Sequence, residues 1–258
     1  MYNEKDIISK WNAEMYDRTE TDMQDVEFAL SVIGTKPQRI LEIACGSGRF
    51  LVPLANAGHY VTGLDFDEHM LKKISSKTSS TKNIHWRKSD VINDAWGNHF
   101  DIVLLVANFL FNIVSDMDYE QAQKLMIKKS ADALISGGHV LIDYAYTYDP
   151  EKWFRIAGTH IVWEGTDSNG NFGKMLLLDS TYDKKTNMVK CIRRFEMTLK
   201  DGSTLIQEIP TEKHFATLEQ VRGWLNHFGF VIDNEWGDYL GNPISENTSR
   251  AIIWAKKK

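Results

Sequence analysis

The chemistry-bearing part of the chain is a glycine turn and an acid placed downstream of it. Arg39-Ile-Leu-Glu-Ile-Ala-Cys-Gly-Ser-Gly-Arg-Phe50 is an apolar run that breaks into that turn. Ile40, Leu41 and Ile43 make the near-continuous hydrophobic stretch of a strand buried on both faces. Gly46 and Gly48 allow a tight turn and leave the backbone open to a ligand. The helix expected from Phe50 to Ala57 tolerates Pro53 because it falls in the first turn. Strand, turn and helix N-terminus together cradle anionic and polar groups. A second strand, Tyr60 to Leu64, runs into Asp65, about 20 residues beyond the turn, where an acid holds ribose hydroxyls in a βαβ nucleotide site. The implied ligand contains adenosine. Phe50 or Leu51 stands where a dinucleotide fingerprint needs its third glycine.

These residues must be held by a regular frame, and the pattern supplies one. Lys5 to Ile33 reads as two helical stretches, with Ile7, Ile8, Trp11, Phe28, Leu30, Val32 and Ile33 at loosely helical spacing. After Asp65 a helix is expected from Glu68 to Ile74, then a polar turn over Ser75 to Thr81. Strands follow at Ile84 to Asp90 and Asp101 to Ala107, then the aromatic-rich stretch Phe109 to Ile113. An amphipathic helix from Tyr119 to Leu134 is expected to stop at Ser136-Gly137-Gly138, and a fifth strand runs from His139 to Asp143. Strands alternating with helices predict a doubly wound, mostly parallel α/β sheet.

The pattern then changes. Thr159 to Glu164, Lys174 to Tyr182, Met188 to Leu199 and Thr204 to Phe215 are strand-like runs separated by short turn clusters, which predicts an antiparallel β insertion over 156–215. A helix from Thr217 to Phe228 opens on Thr217-Leu-Glu-Gln220, close to a capping box. Gly229 to Trp236 and Ser249 to Ala255 close the chain as an antiparallel hairpin. The expectation is a single domain, 1–258, with the insertion inside it.

Composition narrows the function. A net charge of -5 gives no general attraction to phosphate backbones. Lys72-Lys73, Lys128-Lys129 and Lys256 to Lys258 read as solvated faces. Two cysteines, Cys45 and Cys191, are too few for a disulfide scaffold, and Cys45 reads as a small packing residue. With no signal peptide and no apolar run near the length of a membrane span, the expectation is a cytoplasmic protein with no membrane or nucleic-acid partner.

Leu41-Glu-Ile-Ala-Cys-Gly-Ser-Gly48, with Gly63-Leu-Asp65 downstream, resembles motifs I and II of the class I S-adenosylmethionine-dependent methyltransferases. The terminal hairpin resembles that fold as well, giving a Rossmann-like sheet over most of 1–150 and 216–258. The insertion is similar in position to the lid of small-molecule N- and O-methyltransferases. Trp11-Asn-Ala-Glu-Met-Tyr-Asp17 resembles an N-terminal stretch of that family whose tyrosine, here Tyr16, closes over the methionine end of the cofactor. A buried Trp–Tyr pair tethering the helix is the other reading.

The resemblance implies S-adenosylmethionine as cofactor and S-adenosylhomocysteine as product. Ala44, Gly46, Ser47 and Gly48 then meet the amino-acid end, with Glu42 beneath them. Asp65 takes the ribose hydroxyls, and Phe66 and Met70 pack on adenine. Asp90 accepts from the exocyclic amine, and the Val91 N–H meets a ring nitrogen. Ala107 and Asn108 face the methionine and the transferred methyl. Arg49 either approaches the methionine carboxylate or points to solvent. Asp65 and Asp90 could instead cap helices, and Phe66, Met70 and Phe111 could be plain core.

Methyl transfer needs alignment and exclusion of water, and a base only when the acceptor arrives protonated. Tyr16, Asn108, Asp143, Tyr144, Tyr146, His160 and His214 are candidates on the cleft side. None has the partner spacing of a base, so no catalytic residue is assigned. Ala107-Asn-Phe-Leu110 departs from the Asn/Asp-Pro-Pro-aromatic motif of enzymes acting on planar amide or base nitrogens. No Pro-Cys pair marks a cytosine nucleophile, and no metal-ligand cluster is present. Aromatics around the insertion (Trp153, Phe154, Trp163, Phe172, Phe195, Phe215) suit a cover over a small acceptor, the other reading being that most of them simply fill the core. The function expected is transfer of a methyl group to nitrogen or oxygen of a small molecule. The rivals are a nicotinamide-dependent oxidoreductase and a non-catalytic binder of S-adenosylmethionine or S-adenosylhomocysteine.

Overall fold

The computed structural model describes residues 3–78 and 82–258, and of residues 156 and 157 the backbone alone. The chain opens with helices α1 (Glu4–Thr19) and α2 (Gln24–Ile33). Next come β1 (Arg39–Ile43), α3 (Leu51–Asn56), β2 (Tyr60–Asp65), α4 (Glu68–Lys77), β3 (Ile84–Lys88) and β4 (Phe100–Leu105). A short α5 (Phe109–Asn112) and a long α6 (Tyr119–Ala133) lead into β5 (Leu134–Ala145) and α7 (Pro150–Phe154). Four strands follow, β6 (Ile156–Thr166), β7 (Phe172–Asp183), β8 (Met188–Thr198) and β9 (Thr204–His214). The chain closes with α8 (Leu218–His227), β10 (Phe230–Trp236) and β11 (Arg250–Lys257).

These elements form two compact units. One comprises Met23–Tyr148 with Ala216–Lys258; the other comprises the chain up to Asp22 with Asp149–Phe215. The first holds a seven-stranded sheet in the order β10-β11-β5-β4-β1-β2-β3. It is parallel except for β11, which pairs antiparallel with both β5 and β10. The chain moves outward from β1 to β2 and β3, then returns to the other side of β1 with β4. That reversal opens a crevice at the carboxyl ends of β1 and β4, where open α/β sheets bind ligands. Apolar residues of α2, α3 and α4, including Val26, Leu54 and Ile74, pack on β1 and β2 through Ile40 and Val61. The expected mostly parallel α/β fold is observed, with its terminal hairpin.

Three local readings are corrected. The helix beginning at Glu68 continues to Lys77; of the turn expected over 75–81, positions 79–81 lie outside the described residues. The glycines at 137 and 138 do not stop α6, which ends at Ala133. They lie inside β5, where the ladder with β4 skips from Phe100↔Leu134 to Ile102↔His139. Gly138 is required there because a Cβ would stand 2.9 Å from the Asp101 carbonyl oxygen. Two of the lysines assigned to solvated runs are structural. Lys257 Nζ donates to the carbonyls of Ala131 and Leu134 at 2.5 and 2.7 Å, satisfying the end of α6. The other is Lys129, on α6.

The second unit is the antiparallel sheet β6-β7-β8-β9 with α1 packed on it. Trp11 is fully buried, and its Nε1 donates to the Gly165 carbonyl at 2.9 Å. A Cβ on Gly173 would stand 2.5 Å from the Trp11 indole, and one on Gly165 would stand 2.8 Å from Met15 Sδ. The two glycines therefore form a flat seat for the helix. Phe195 meets the indole edge-on at 6.4 Å. Burial of a side chain of this size contributes about 3 kcal/mol. Trp11 thus tethers the helix. Among the described residues no helix is long and apolar enough to cross a membrane.

Candidate active site

Strand β1 ends at Ile43, and the backbone then turns through alternating left-handed residues: Ala44 at φ 56°, Gly46 at 53° and Gly48 at 84°. Each glycine is needed for a different reason. A Cβ on Gly48 would press on Ile74 and Val52 at 3.1 and 3.2 Å, so α4 and α3 close over it. Gly46 has nothing within 4 Å of its missing Cβ, so that side of the turn is open. Ala44 adopts its left-handed conformation at a cost of about 1 kcal/mol. At the end of β4, Ala107 and Asn108 are also left-handed, at φ 53° and 59°. Strained alanines thus stand at the carboxyl ends of the two strands that flank the crevice, and strain of this kind collects at functional sites.

Asp65, at the end of β2, is buried, with 7% of its surface exposed. Its Oδ2 accepts from the Gly46 N–H and its Oδ1 from the Asp67 N–H, both at 2.8 Å. The carboxylate therefore ties the glycine turn to its own strand end, with one lone pair per oxygen left to accept. Burial pushes the Asp65 carboxyl above its ordinary range, and the Asp67 and Gly46 amides oppose that shift. The helix-cap alternative for Asp65 falls away, because the cap of α4 is Asp67, which accepts from the His69 and Met70 amides. Phe66 is 62% exposed beside this carboxylate, so it is not core. Met70 is half-buried on α4.

Glu42 lies beneath the turn, 3% exposed, and its Oε2 has no hydrogen-bond partner. Burial pushes this carboxyl well above the usual range, with the Arg49 guanidinium opposing. Arg49 does not point to solvent. Its Nη1 and Nη2 both donate at 2.6 Å to Asp25 on α2, a bidentate pair. Ser47 is fully buried and accepts from Lys77 Nζ at 3.0 Å. Cys45 is inert packing, since burial raises its thiol far above neutrality. A Cβ on the neighbouring Gly63 would stand 2.6 Å from the Cys45 sulfur.

Asp90, past the end of β3, is exposed and bonds locally. Its Oδ1 accepts from the Ile92 amide at 2.9 Å and its Oδ2 from Asn93 Nδ2 at 2.7 Å. The Asn93 bond holds the carboxyl below its ordinary range. The neighbouring Val91 carbonyl accepts from Trp96 Nε1 and from Lys129 Nζ. Lys129, from α6, also donates to the carbonyls of Ile92 and Asp94, at 3.0 and 2.7 Å. This half-buried lysine holds the whole turn after β3, so its reading as a solvated residue is wrong.

Asn108 accepts from the Ala145 amide at 3.0 Å, fastening the end of β4 to that of β5. Asp143 on β5 is buried and spent: it pairs with Arg250 and accepts from the Tyr239 hydroxyl at 2.8 Å. Tyr144 and Tyr146 are buried, and burial raises both phenols. His160, His214 and Tyr16 belong to the antiparallel unit. Tyr16 meets Trp163 edge-on at 6.5 Å. Glu42, Ala44 to Arg49, Asp65, Phe66, Met70, Asp90, Val91, Ala107 and Asn108 all fall at or beside the carboxyl ends of β1 to β4.

Asp25, Arg250, Tyr239 and Lys129 were not foreseen. Each reaches its partner across the fold, and no local pattern in the sequence marks them.

The Methyltransferase domain family model matches residues 40–138, which span the strands that carry this site. YqeM of Bacillus subtilis (strain 168), which is named as a methyltransferase, is 36% identical over 222 residues, covering 85% of this chain and 84% of its own. The chain belongs to the class I S-adenosylmethionine-dependent methyltransferases. Solved structures agree on the fold. A S-adenosylmethionine-dependent methyltransferase from Clostridium acetobutylicum superposes with a TM-score of 0.68 at 18% identity, covering 94% of this chain and 96% of that one. The S-adenosylmethionine-bound amino pentose methyltransferase CalS10 from Micromonospora echinaspora gives 0.62 at 14% identity, with 93% and 94% covered.

The methyltransferase uses S-adenosylmethionine, and its turn fits that molecule. Gly46 leaves open the space a Cβ would fill, Asp65 keeps acceptor capacity for a diol, and Glu42 Oε2 is a buried polar atom without a hydrogen-bond partner. The nicotinamide-dependent and non-catalytic readings are set aside.

Proposed function

We propose that the methyltransferase transfers its methyl group to nitrogen or oxygen of a small-molecule acceptor, and that the antiparallel unit serves acceptor binding as a substrate lid. The observation that carries the reading is the turn after β4. Its Asn108 amide oxygen already accepts from the Ala145 N–H, and Phe109 and Leu110 follow in place of a proline pair. This disfavours planar amide and base nitrogens and leaves small amines or hydroxyls. The relationship to an amino pentose methyltransferase supports the same class.

S-adenosylmethionine supplies, when bound, a methyl group already activated by a sulfonium. On this reading Asp65 binds the ribose hydroxyls, and its two backbone bonds fix the carboxylate beforehand. Ala44, Gly46, Ser47 and Gly48 hold the amino-acid end, with Glu42 below and Arg49 positioning the turn through Asp25. Phe66 and Met70 cover adenine, and Asp90 and Val91 border it. Ala107 and Asn108 attend the methionine end. Acceleration comes from alignment and the exclusion of water.

The test is release of S-adenosylhomocysteine from S-adenosylmethionine in the presence of small amines, amino sugars and hydroxyl compounds, with peptides and transfer RNA run alongside. Turnover confined to small molecules is the expected result. Methylation of the macromolecules alone overturns the reading.

A further inference from the structure

The antiparallel sheet has two chemically different faces. Because neighbours alternate across a strand, the register of β8 with β9 sorts their charges. On the outer face Arg194 stands opposite Glu208 and Lys190 opposite Glu212, and both pairs are made, at 2.9 and 2.8 Å. Lys174 on β7 likewise pairs with Glu164 on β6, at 3.2 Å. The inner face is the one that carries Met175, Phe195, Met197 and Leu205 against α1. Along it β8 presents Phe195, Arg193, Cys191 and Val189, opposite Gln207, Ile209, Thr211 and Lys213 of β9. No inner-face position in this register is a carboxylate.

Arg193 is accordingly different from Arg194 beside it. Arg194 pairs with Glu196 and Glu208, whereas among the described residues the Arg193 guanidinium has no ion-pair partner; the Nε of each is buried without a hydrogen bond. Lys213 is a second cation on the same face, four residues along the strand from Arg193 by register, or about 13 Å. Cys191 and Thr211 lie between them. The apolar cover is at the two ends. At one end Trp11 and Met15 of α1 pack on Phe195 and Met197. Towards the other, Phe154 of α7 packs on Tyr182 and Phe215 at 6.2 and 5.1 Å. Burial pushes the Lys213 ammonium down to about 7, with Arg193 adding to the shift, and the Cys191 thiol lies in the field of both cations. A half-buried guanidinium without an anion is unfavourable, and its planar fork matches an oxyanion in two places.

We propose that the inner face of this sheet binds a small oxyanion, a carboxylate or a phosphate, on Arg193 with Lys213 beside it, over Cys191 and Thr211. Resting on the small-molecule reading above, the anion is a substituent of the methyl acceptor, so the substrates are amines or alcohols that also carry an acid group.

The full-length protein, its Arg193→Met variant and its Arg194→Met variant are titrated calorimetrically with inorganic phosphate, with acetate and with S-adenosylhomocysteine. Saturable binding of at least one anion to the wild type and to Arg194→Met is expected, weakened tenfold or more in Arg193→Met. S-adenosylhomocysteine affinity is expected to be equal in all three. Phosphate alone assigns a phosphate-bearing acceptor, and acetate alone a carboxylate. Anion binding that is absent from the wild type, or unchanged in Arg193→Met, overturns the proposal. S-adenosylhomocysteine that fails to bind the wild type strikes instead at the cofactor site and leaves the anion result standing. A measurement on the wild type alone guards against a misfolded variant. Alkylation of Cys191 by iodoacetamide, mapped by mass spectrometry, should slow several-fold at saturating anion, and an unchanged rate counts against the site.

Discussion

Replacing Asp65 with alanine tests the cofactor assignment most directly. The carboxylate is buried and already bonded at 2.8 Å to the amides of Gly46 and Asp67, so its orientation is set before any ligand arrives. Two ribose hydroxyls donating to it would each make a charge-assisted bond of about 1.5 kcal/mol at the lower end. Together they amount to about 3 kcal/mol, or about a hundredfold in dissociation constant. Asp65→Ala also unfastens the glycine turn from β2, so the loss should not fall below about tenfold. Asp67→Ala is the control. It removes the cap of α4, whose side chain accepts from His69 and Met70, and should cost about 1 kcal/mol of stability while leaving affinity nearly intact. The assay is calorimetric titration with S-adenosylhomocysteine, with chemical denaturation of the same samples to separate misfolding from lost binding. If Asp65→Ala binds as tightly as the wild type, the carboxylate does not hold the ribose and the reasoning is refuted.

Three further perturbations follow from the same geometry. Burial raises the Glu42 carboxyl, so the native state holds its proton at a pH where the unfolded chain has released it; stability therefore falls as pH rises from the ordinary carboxylate range to that raised value. Glu42→Gln should be more stable than the wild type at neutral pH and flatten that slope in denaturation titrations, whereas parallel pH profiles would contradict the burial. Gly63→Ala should lose about 1–3 kcal/mol by overpacking, since the new Cβ would stand 2.6 Å from the Cys45 sulfur. The Cys45→Ala second change should restore part of that loss, and an additive double mutant would show that the two do not touch. Lys129→Met removes three bonds to the carbonyls of Val91, Ile92 and Asp94 and should cost about 2 kcal/mol of stability. A thermal midpoint equal to wild type would return Lys129 to the solvated face.

What the sequence determined by itself is local. The glycine turn, the acid about 20 residues on, and the alternation of apolar runs with helical spacing depend on neighbours a few residues apart. These signals placed β1 to β4 and their carboxyl-end residues, and the capping box of Thr217 and Gln220 forms as its spacing implies. Where local signals misled, a long-range contact had overruled them. The glycines at 137 and 138 look like a helix stop, but Gly138 is held by the approach of the Asp101 carbonyl. Lys129 looks like half of a solvated pair until the return of the chain brings three carbonyls to it. Arg49 could not declare its partner, because Asp25 lies 24 residues away on α2. Helix α1 gave no sign that it would sit on the antiparallel sheet, where Trp11 meets a residue 154 positions later. Only the tertiary structure decided these, because a buried charge or indole takes whichever partner the packed chain delivers, and sequence distance does not set that choice. The same holds for Arg193 and Arg194: adjacent and identical in type, they are told apart only by the face of the sheet to which each points.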